Sequence, residues 1–322
     1  MLPLPVPQDL IDFINAGNKF IVAGHKEPDG DCVGSQLVLC SLLERLGKTA
    51  VPCSSGPFKR IEIQQYESRF KPFPSEADRE NARVIICDCS SPERTGDLGP
   101  YLEGLPSAVI DHHASANPAG DAVFLDTSAP SVTAMVLAVI EAFGLKPTGE
   151  EAELLLFGLC TDTGFFRHVD EKGAETFRAA ARMIDAGASP KKAFLAMNGG
   201  KSLDSRILMG LVLSRAEPLF GGKLILTTEE YDETQRFGLQ GRDSDTLYQL
   251  LQSVAGVEAI AVIRQETPEN CTVGLRSRDA VDVSKIAQAF GGGGHKNAAG
   301  LSAAGTIADV RSRLIEEFRR VL

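Results

Sequence analysis

The chain has 322 residues, of which 43% are hydrophobic and 24% charged, a composition close to the globular average. This composition excludes a disordered or low-complexity protein, and the length suits two domains of roughly 100 to 200 residues each. The formal net charge of -10 disfavours a long nucleic acid as a partner, because such binding depends on many Lys and Arg contacts with phosphates. A small substrate with few phosphates is compatible with this charge.

The hydropathy and cysteine patterns predict a soluble protein of a reducing compartment. No apolar run reaches the length of about 18 residues that a membrane helix needs. Residues 1–10 contain three prolines and no basic residue, which is not the pattern of a secretion signal, so we expect a cytoplasmic protein. The cysteines form no C-x-x-C pair and lie mostly in apolar runs, so buried reduced thiols are expected at Cys32, Cys40, Cys53, Cys87, Cys89, Cys160 and Cys271.

Short apolar runs that end in polar residues predict the strands of a parallel sheet in the N-terminal part of the chain. These runs lie at residues 19–24, 83–88 and 107–111. Helical apolar patterns predict helices at residues 33–46, 131–143, 148–162 and about 172–186. Thr148 and Glu151 have the spacing of a capping box at the start of the third of these helices.

A Gly- and Pro-containing segment at residues 188–204 predicts a linker between a domain at 1–187 and a domain at 205–322. Around and beyond the boundary, patterns predict helices at 203–216, 244–255 and 307–321, and strands at 223–228, 257–264 and 271–276. The expected architecture is therefore α/β, with a parallel sheet in the N-terminal domain and a smaller α/β C-terminal domain.

Candidate metal ligands follow the successive predicted strands. The segment G-H-K-E-P-D-G-D at residues 24–31 follows the first strand, and further Asp and His residues end the next two strands and one helix. The carboxyl ends of parallel strands lie at one edge of a sheet, where open α/β sheets bind ligands. The set that could converge there is His25, Asp29, Asp31, Asp88, Asp111, His112, His113 and Asp162.

Carboxylates and imidazoles suit Mn²⁺ or Mg²⁺, whereas thiolates would favour zinc. So many acidic groups in one place would repel one another without cations. Two ions about 3.5 to 4 Å apart can activate a hydroxide for attack on phosphorus and stabilise the charge on the phosphoryl oxygens. Any single Asp of the set could instead be a helix cap or a turn residue. Their occurrence at successive strand ends favours a two-metal site.

Three further features point to phosphate binding, each with a plain alternative. The segment G-G-G-G-H-K-N-A-A-G at 291–300 could bring backbone N–H groups, His295 and Lys296 against an anion, or it could be a flexible loop. Arg276, followed by Ser277, lies at a predicted strand end and could bind a phosphate, or it could be a surface arginine. His168 could face substrate or be an uninvolved exposed histidine.

Together these motifs resemble the DHH phosphoesterase family, named after the triplet that is Asp111-His112-His113 here. The 291–300 segment resembles the signature of the DHH-associated C-terminal domain. Motif order, spacing and length resemble the nanoRNase/oligoribonuclease subgroup, also described as 3'-phosphoadenosine 5'-phosphate phosphatases. The resemblance covers nearly the whole chain.

The resemblance implies an active site in the cleft between the domains, with two divalent ions, Mn²⁺ or alternatively Mg²⁺ or Co²⁺. Asp88 would bridge a first ion bound by His25 and Asp29 and a second bound by Asp31, His112 and Asp162. His113 would contact the scissile phosphate and Asp111 would orient a ligand. The resemblance implies that Arg276, Gly293, Gly294 and His295 bind the substrate, and the sequence adds Ser277 and His168 as candidate substrate-binding residues.

The implied activity is hydrolysis of short oligoribonucleotides (nanoRNA) to mononucleotides, together with dephosphorylation of 3'-phosphoadenosine 5'-phosphate. Linear dinucleotides from cyclic-dinucleotide breakdown are an alternative substrate, and a family II inorganic pyrophosphatase shares the metal motifs. A RecJ-type exonuclease on long substrates would need more positive charge. A non-catalytic metal-dependent nucleotide sensor and purely structural carboxylates are the alternatives from other classes. The resemblance also suggests a homodimer.

Overall fold

A computed structural model describes residues 5–114, 116–278 and 280–322. Residues 1–4, part of the N-terminal stretch considered above, lie outside these ranges. Two units of structure span Met1–Gly200 and Lys201–Leu322. The division falls inside the segment at 188–204 that the sequence predicts to be a linker.

The first unit contains a parallel sheet whose strand order is β2-β1-β3-β4-β5. Its strands are β1 (Lys19–Gly24), β2 (Thr49–Cys53), β3 (Arg83–Cys87), β4 (Ser107–Asp111) and β5 (Ala122–Leu125). Alternate residues of β1 pack into different hydrophobic clusters, Phe20 and Val22 into one and Ile21 and Ala23 into another. Both faces of the sheet are thus covered, which explains the near-continuous apolar runs.

The parallel sheet and the strands predicted at 19–24, 83–88 and 107–111 are confirmed. The two strands that the sequence pattern missed, β2 and β5, are the edges of the sheet. Each keeps exposed or half-exposed residues, and β2 contains Pro52, so neither gives the uninterrupted apolar run of a central strand.

The helices of the first unit are α1 (Gln8–Ala16), α2 (Gly30–Arg45), α3 (Ile61–Gln64), α4 (Glu76–Arg79), α5 (Gly99–Leu102), α6 (Val132–Ala142), α7 (Gly149–Asp162), α8 (Ala174–Asp185) and α9 (Pro190–Asn198). The capping box of α7 is confirmed, because the Thr148 Oγ1 accepts from the Glu151 N–H and the Glu151 carboxylate accepts from the Thr148 N–H. Helix α9 occupies part of the segment expected to be a linker. Its Pro190 is at the helix start, where proline is favourable, and its Ala193 is buried in the core.

The second unit contains a mixed sheet whose strand order is β10-β11-β9-β8-β7-β6. Only the β7–β8 pair is parallel. The strands are β6 (Glu217–Leu219), β7 (Leu224–Glu229), β8 (Ala259–Thr267), β9 (Asn270–Ser277), β10 (Gly293–His295) and β11 (Ala298–Ala304). The helices are α10 (Leu203–Ser214), α11 (Tyr231–Phe237), α12 (Ser244–Gln252), α13 (Val283–Gln288) and α14 (Ile307–Phe318).

One face of this second sheet is covered across β7, β8, β9 and β11, and the other is covered only in part. Residues of β8, β9 and β11 contribute to the first hydrophobic cluster, whereas β7 and β8 alone contribute strand residues to the cluster with α10 and α12. On that second face Thr272, Gly274 and Arg276 of β9 stay partly accessible. This second face is therefore most accessible at β10 and β11.

Two predictions about the chain as a whole can be compared with the structure. All seven cysteines are buried and free, as predicted. Among the described residues, the helices are too short or too polar to cross a membrane.

Candidate metal centre and nucleotide-binding strands

The carboxylate of Asp88 lies at the centre of the candidate metal site. Its Oδ2 is 3.4 Å from the Nε2 of His25, and its Oδ1 is 3.7 Å from the Nε2 of His112. Asp88 is 3% exposed, and its Oδ1 accepts no hydrogen bond from the described residues. Buried carboxylate oxygens are normally paired, so this oxygen is suited to a cation. Asp88 also has a φ of 61°, a strained value of the kind found at functional sites.

Both histidines beside Asp88 are oriented by backbone carbonyl groups. The Nδ1 of His25 lies 2.8 Å from the Lys26 carbonyl oxygen, and the Nδ1 of His112 lies 3.1 Å from the Ala129 carbonyl oxygen. Because a carbonyl oxygen can only accept, each Nδ1 carries a proton, and in the neutral ring Nε2 is the atom that would bind a metal. The Nε2 of His112 also lies 3.6 Å from the Oδ2 of Asp162.

The two aspartates of the opening motif accept hydrogen bonds from the first N–H groups of two different helices. The Oδ1 of Asp29 accepts from the N–H groups of Asp31 and Cys32 at the start of α2 and lies 3.9 Å from the Nε2 of His25. Asp31 is fully buried and accepts from the N–H groups of Val132 and Thr133 at the start of α6, and from the Thr133 hydroxyl. Helix caps hold both carboxylates in place.

Asp31, His112 and Asp162 form one group whose candidate ligand atoms lie within 4.8 Å of one another, and Asp88, His112 and His113 form another. A third group contains His25, Cys32 and Asp88. The structure therefore brings together five of the six residues predicted to bind a metal, and the sixth, Asp29, lies beside them with its Oδ1 3.9 Å from the His25 Nε2.

The thiol of Cys32, to which sequence reasoning gave no chemistry, also borders this centre. Its Sγ lies 3.5 Å from the Oε1 of Gln36 and donates to it. Burial raises the pKa of Cys32 to about 11, so the thiol is neutral at ordinary pH. A cysteine in an apolar helix pattern gives no signal of such a position.

Asp111 supports both histidines of the DHH triplet. Its Oδ1 accepts from the N–H groups of His112 and His113, at 2.8 and 3.2 Å, and lies 2.8 Å from the Nδ1 of His113. This hydrogen bond with Asp111 raises the pKa of His113. The side chain of His113 is 40% exposed, so its Nε2 is left for a ligand.

Burial raises the pKa of three carboxyls in this centre, those of Asp31, Asp88 and Asp162. For Asp162 the value is about 6, and the nearby Asp31 adds to the effect of burial. For Asp88 the charges of Asp31 and Asp29 add to the effect of burial. Each carboxyl therefore favours a bound proton or a bound cation, and the set fits divalent ions that prefer oxygen and imidazole ligands.

In the second unit, His295, Ala298 and Arg276 lie opposite one another in β10, β11 and β9. Gly293, Gly300 and Gly274 form the next row across the same three strands. Paired residues of antiparallel strands share a face, so Arg276 and His295 border a patch at Gly293 and Gly300 that has no side chains, whereas the Tyr248 hydroxyl occupies the space beside Gly274. Three of the predicted substrate-binding residues thus share one surface.

The segment at 291–300 contains a β-strand and is not the flexible loop that its glycines could also indicate. Residues 293–295 form the edge strand β10, which pairs with β11. Gly294 has a φ of 149°, and a Cβ there would lie 2.4 Å from the Ala298 carbonyl oxygen. Only glycine fits at this position, whereas Gly293 has open space around its Cα.

Ser277 and His168 do not join these groups. The strand alternation turns Ser277 to the opposite face from Arg276, where its buried Oγ lies 2.7 Å from the Val281 carbonyl oxygen. His168 belongs to the first unit and lines a cavity of about 690 Å³ together with Asp162 and Lys172. His168 is therefore near one candidate ligand but outside the metal-binding groups.

Two family models match the chain over most of its length. The model described as "DHH family, N-terminal domain" matches residues 19–159, and the one described as "DHHA1 domain" matches residues 224–322. A bifunctional oligoribonuclease and PAP phosphatase NrnA from Thermus thermophilus is 31% identical over 305 residues, which cover 94% of this chain and 89% of that protein. The chain belongs to the DHH family. This membership confirms the resemblance seen in the sequence.

Two further proteins are similar to this DHH-family chain over nearly its whole length. The bifunctional oligoribonuclease and PAP phosphatase NrnA from Bacillus subtilis is 29% identical over 305 residues, which cover 91% of this chain and 92% of that protein. The crystal structure of an exopolyphosphatase-related protein from Bacteroides fragilis superposes with a TM-score of 0.78 at 20% identity, covering 97% of this chain and 95% of that one. This chain and the Bacteroides fragilis protein therefore share a fold.

Proposed function

We propose that this chain is a metal-dependent phosphodiesterase that hydrolyses short oligoribonucleotides to mononucleotides and also dephosphorylates 3'-phosphoadenosine 5'-phosphate. The observation that carries the proposal is the buried Asp88 carboxylate, which has one oxygen toward His25 and the other toward His112. The similarity to the Thermus and Bacillus proteins supports the choice of substrates.

The proposed ligands divide into two sets that share Asp88. His25, Asp29 and Asp88 would hold one ion, and Asp31, Asp88, His112 and Asp162 the other. Mn²⁺ is the proposed ion, with Mg²⁺ or Co²⁺ as alternatives, because the ligands are carboxylates and imidazoles. When bound, such ions supply Lewis acidity to the phosphoryl oxygens and activate water for attack.

The residues of the chain orient this chemistry. The carbonyl groups at Lys26 and Ala129 hold the rings of His25 and His112 so that each Nε2 faces the acidic groups. His113 keeps its proton to a higher pH than a free imidazole does, because of Asp111. In the proposed mechanism its Nε2–H donates to an oxygen of the scissile phosphate, where negative charge increases during the reaction.

In the second unit, we propose that Arg276 and His295 bind a phosphate of the nucleotide beside the side-chain-free patch. This surface offers few cations, and the chain as a whole is acidic. A short ligand is therefore favoured over a long one, which would need many phosphate contacts. The homodimer and the cytoplasmic location stay predictions.

A turnover assay with Mn²⁺ tests the proposal. The RNA substrates are a dinucleotide, a pentanucleotide and a long RNA. The other substrates are a linear dinucleotide formed by opening a cyclic dinucleotide, 3'-phosphoadenosine 5'-phosphate and pyrophosphate. Asp88→Asn is compared with wild type, and Asp185→Asn, at an exposed aspartate of α8, is the matched control. We expect mononucleotide release from the short RNAs by the wild type and the control but not by Asp88→Asn. Cleavage of pyrophosphate alone, or metal binding without any turnover, would overturn the proposal.

A further inference from the structure

Arg276 is a half-buried arginine whose charge no carboxylate neutralises within the described ranges. Its Nη1 donates to the Leu275 carbonyl oxygen at 2.9 Å. Other partly buried arginines of this unit behave differently, since Arg242 pairs with Glu229 and Glu266. A cation kept free of acidic partners is available to an anionic ligand.

The guanidinium of Arg276 packs against the face of the Tyr248 ring. The Arg276 Cζ lies 4.5 Å from the centroid of the Tyr248 ring, within the range of a cation–π interaction. Tyr248 belongs to α12 and is 5% exposed. Its buried hydroxyl has no hydrogen-bond partner among the described residues. A buried tyrosine usually pairs its hydroxyl, and here the polar contact that the described residues give Tyr248 is the one between its ring and Arg276.

Gly274 provides the space for this ring. It precedes Arg276 by two residues in β9, so both positions face the same side of the sheet. A Cβ at position 274 would lie 2.0 Å from the Tyr248 hydroxyl oxygen and 3.2 Å from its Cζ. Any side chain there would displace the ring on which Arg276 lies. A glycine, a buried ring and an arginine thus form one assembly.

We propose that Tyr248 is a positioning residue for phosphate binding. In the space left by Gly274, its ring holds the Arg276 guanidinium in the row that also contains His295. The ring thereby orders a flexible side chain before the ligand arrives, which lowers the entropic cost of binding. This inference rests on the proposed function, because the ligand is a phosphate of the short oligoribonucleotide.

Steady-state kinetics on an RNA dinucleotide with Mn²⁺ test the inference. Tyr248→Leu removes the ring, and we expect its KM to rise about tenfold while kcat stays within about twofold of wild type. Tyr248→Phe keeps the ring and should raise KM far less. Arg236→Ala removes a different arginine–aromatic pair of the same unit and is the matched control.

A double-mutant cycle separates positioning from a general loss of structure. Arg276→Ala should raise KM at least as much as Tyr248→Leu, and the double variant should be no worse than Arg276→Ala alone. Fully additive effects, or a Tyr248→Leu variant with the wild-type KM, would overturn the inference. An Arg276→Ala variant with the wild-type KM would instead overturn the proposed role of Arg276 itself.

A rescue experiment does not depend on the folding of Tyr248→Leu. Gly274→Ala pushes a Cβ against the Tyr248 hydroxyl, so we expect a raised KM. Removal of that hydroxyl in Gly274→Ala/Tyr248→Phe relieves the closest contact and should bring KM back toward wild type. Equal KM values for the single and double variants would contradict the proposed assembly.

Discussion

Asp111 and His113 are joined by a 2.8 Å hydrogen bond between the Oδ1 of the carboxylate and the Nδ1 of the ring. The same oxygen accepts hydrogen bonds from the backbone N–H groups of His112 and His113. The bond fixes the ring of His113 and raises its pKa. The pH range over which His113 can donate a proton therefore depends on Asp111.

The first prediction concerns Asp111→Asn. Loss of the carboxylate charge lowers the pKa of His113, so protonated His113 is lost at a lower pH than in wild type. We expect the alkaline limb of the kcat/KM profile on an RNA dinucleotide to move to lower pH, and the rate at its maximum to fall about 10- to 100-fold. Asp185→Asn should leave the profile in place. An unmoved alkaline limb in Asp111→Asn would show that His113 is not the group that titrates.

The second prediction concerns the pH dependence of metal binding. Asp162 has a pKa of about 6 without metal, above its ordinary value of 3.8. Because its pKa is raised, protonated Asp162 stabilises the metal-free folded state at low pH. This stabilisation is lost as the pH rises through about 6. Metal binding needs the ionised form, so stabilisation by metal increases over the same range.

Thermal unfolding with Mn²⁺ and with chelator measures this difference. The Tm difference between the two conditions should be larger at about pH 7.5 than at about pH 5, and Asp162→Asn should flatten that dependence. A Tm difference that does not change with pH in the wild type would count against the assignment of Asp162.

The third prediction contrasts two buried aspartates in the metal-free protein. Asp31 accepts hydrogen bonds on both oxygens from α6, so the amide of Asp31→Asn would face a backbone donor. We expect a loss of about 1 to 3 kcal/mol in the free energy of unfolding. Asp88→Asn replaces a carboxyl whose charged form is disfavoured by burial and whose Oδ1 lacks a hydrogen bond among the described residues, so the free energy of unfolding of the metal-free protein should rise. Urea unfolding with chelator measures both, and destabilisation by Asp88→Asn would show that its charge is already compensated.

The fourth prediction compares neighbouring glycines of β10. Gly294→Ala places a Cβ 2.4 Å from the Ala298 carbonyl oxygen at a positive φ, so we expect the β10–β11 pairing to be disrupted, with a loss of about 1 to 3 kcal/mol. Gly293→Ala meets no atom within 4 Å and should keep wild-type stability. On the proposed surface its methyl group should still raise the KM for an RNA dinucleotide. Equal Tm losses in the two variants would contradict this description of the strand.

The candidate metal ligands could be predicted because local sequence rules determine their positions. His25 and Asp88 directly follow apolar strands, and parallel strands place such residues at one edge of a sheet. The capping box of Thr148 and Glu151 is equally local, since its residues are three apart. In these cases the spacing along the chain is enough to infer the contact.

Contacts between distant parts of the chain could not be predicted in this way. The hydrogen bond from Val132 to Asp31 spans 101 residues, and the stacking of Arg276 on Tyr248 joins a strand to a separate helix. Neither partner has a distinctive sequence pattern, because a backbone N–H is present at nearly every residue and a tyrosine in an amphipathic helix predicts only core packing. Strand alternation places Ser277 and Arg276 on opposite faces of the sheet, but which of the two faces is covered depends on distant parts of the chain.

The measurement that tests the central claim most directly is the electron paramagnetic resonance spectrum of the protein titrated with Mn²⁺. If Asp88 bridges two ions, the wild type should bind two Mn²⁺ per chain and show an exchange-coupled spectrum, which Asp88→Asn should lose. A wild-type protein that binds a single Mn²⁺, or two ions without magnetic coupling, would contradict the two-metal centre.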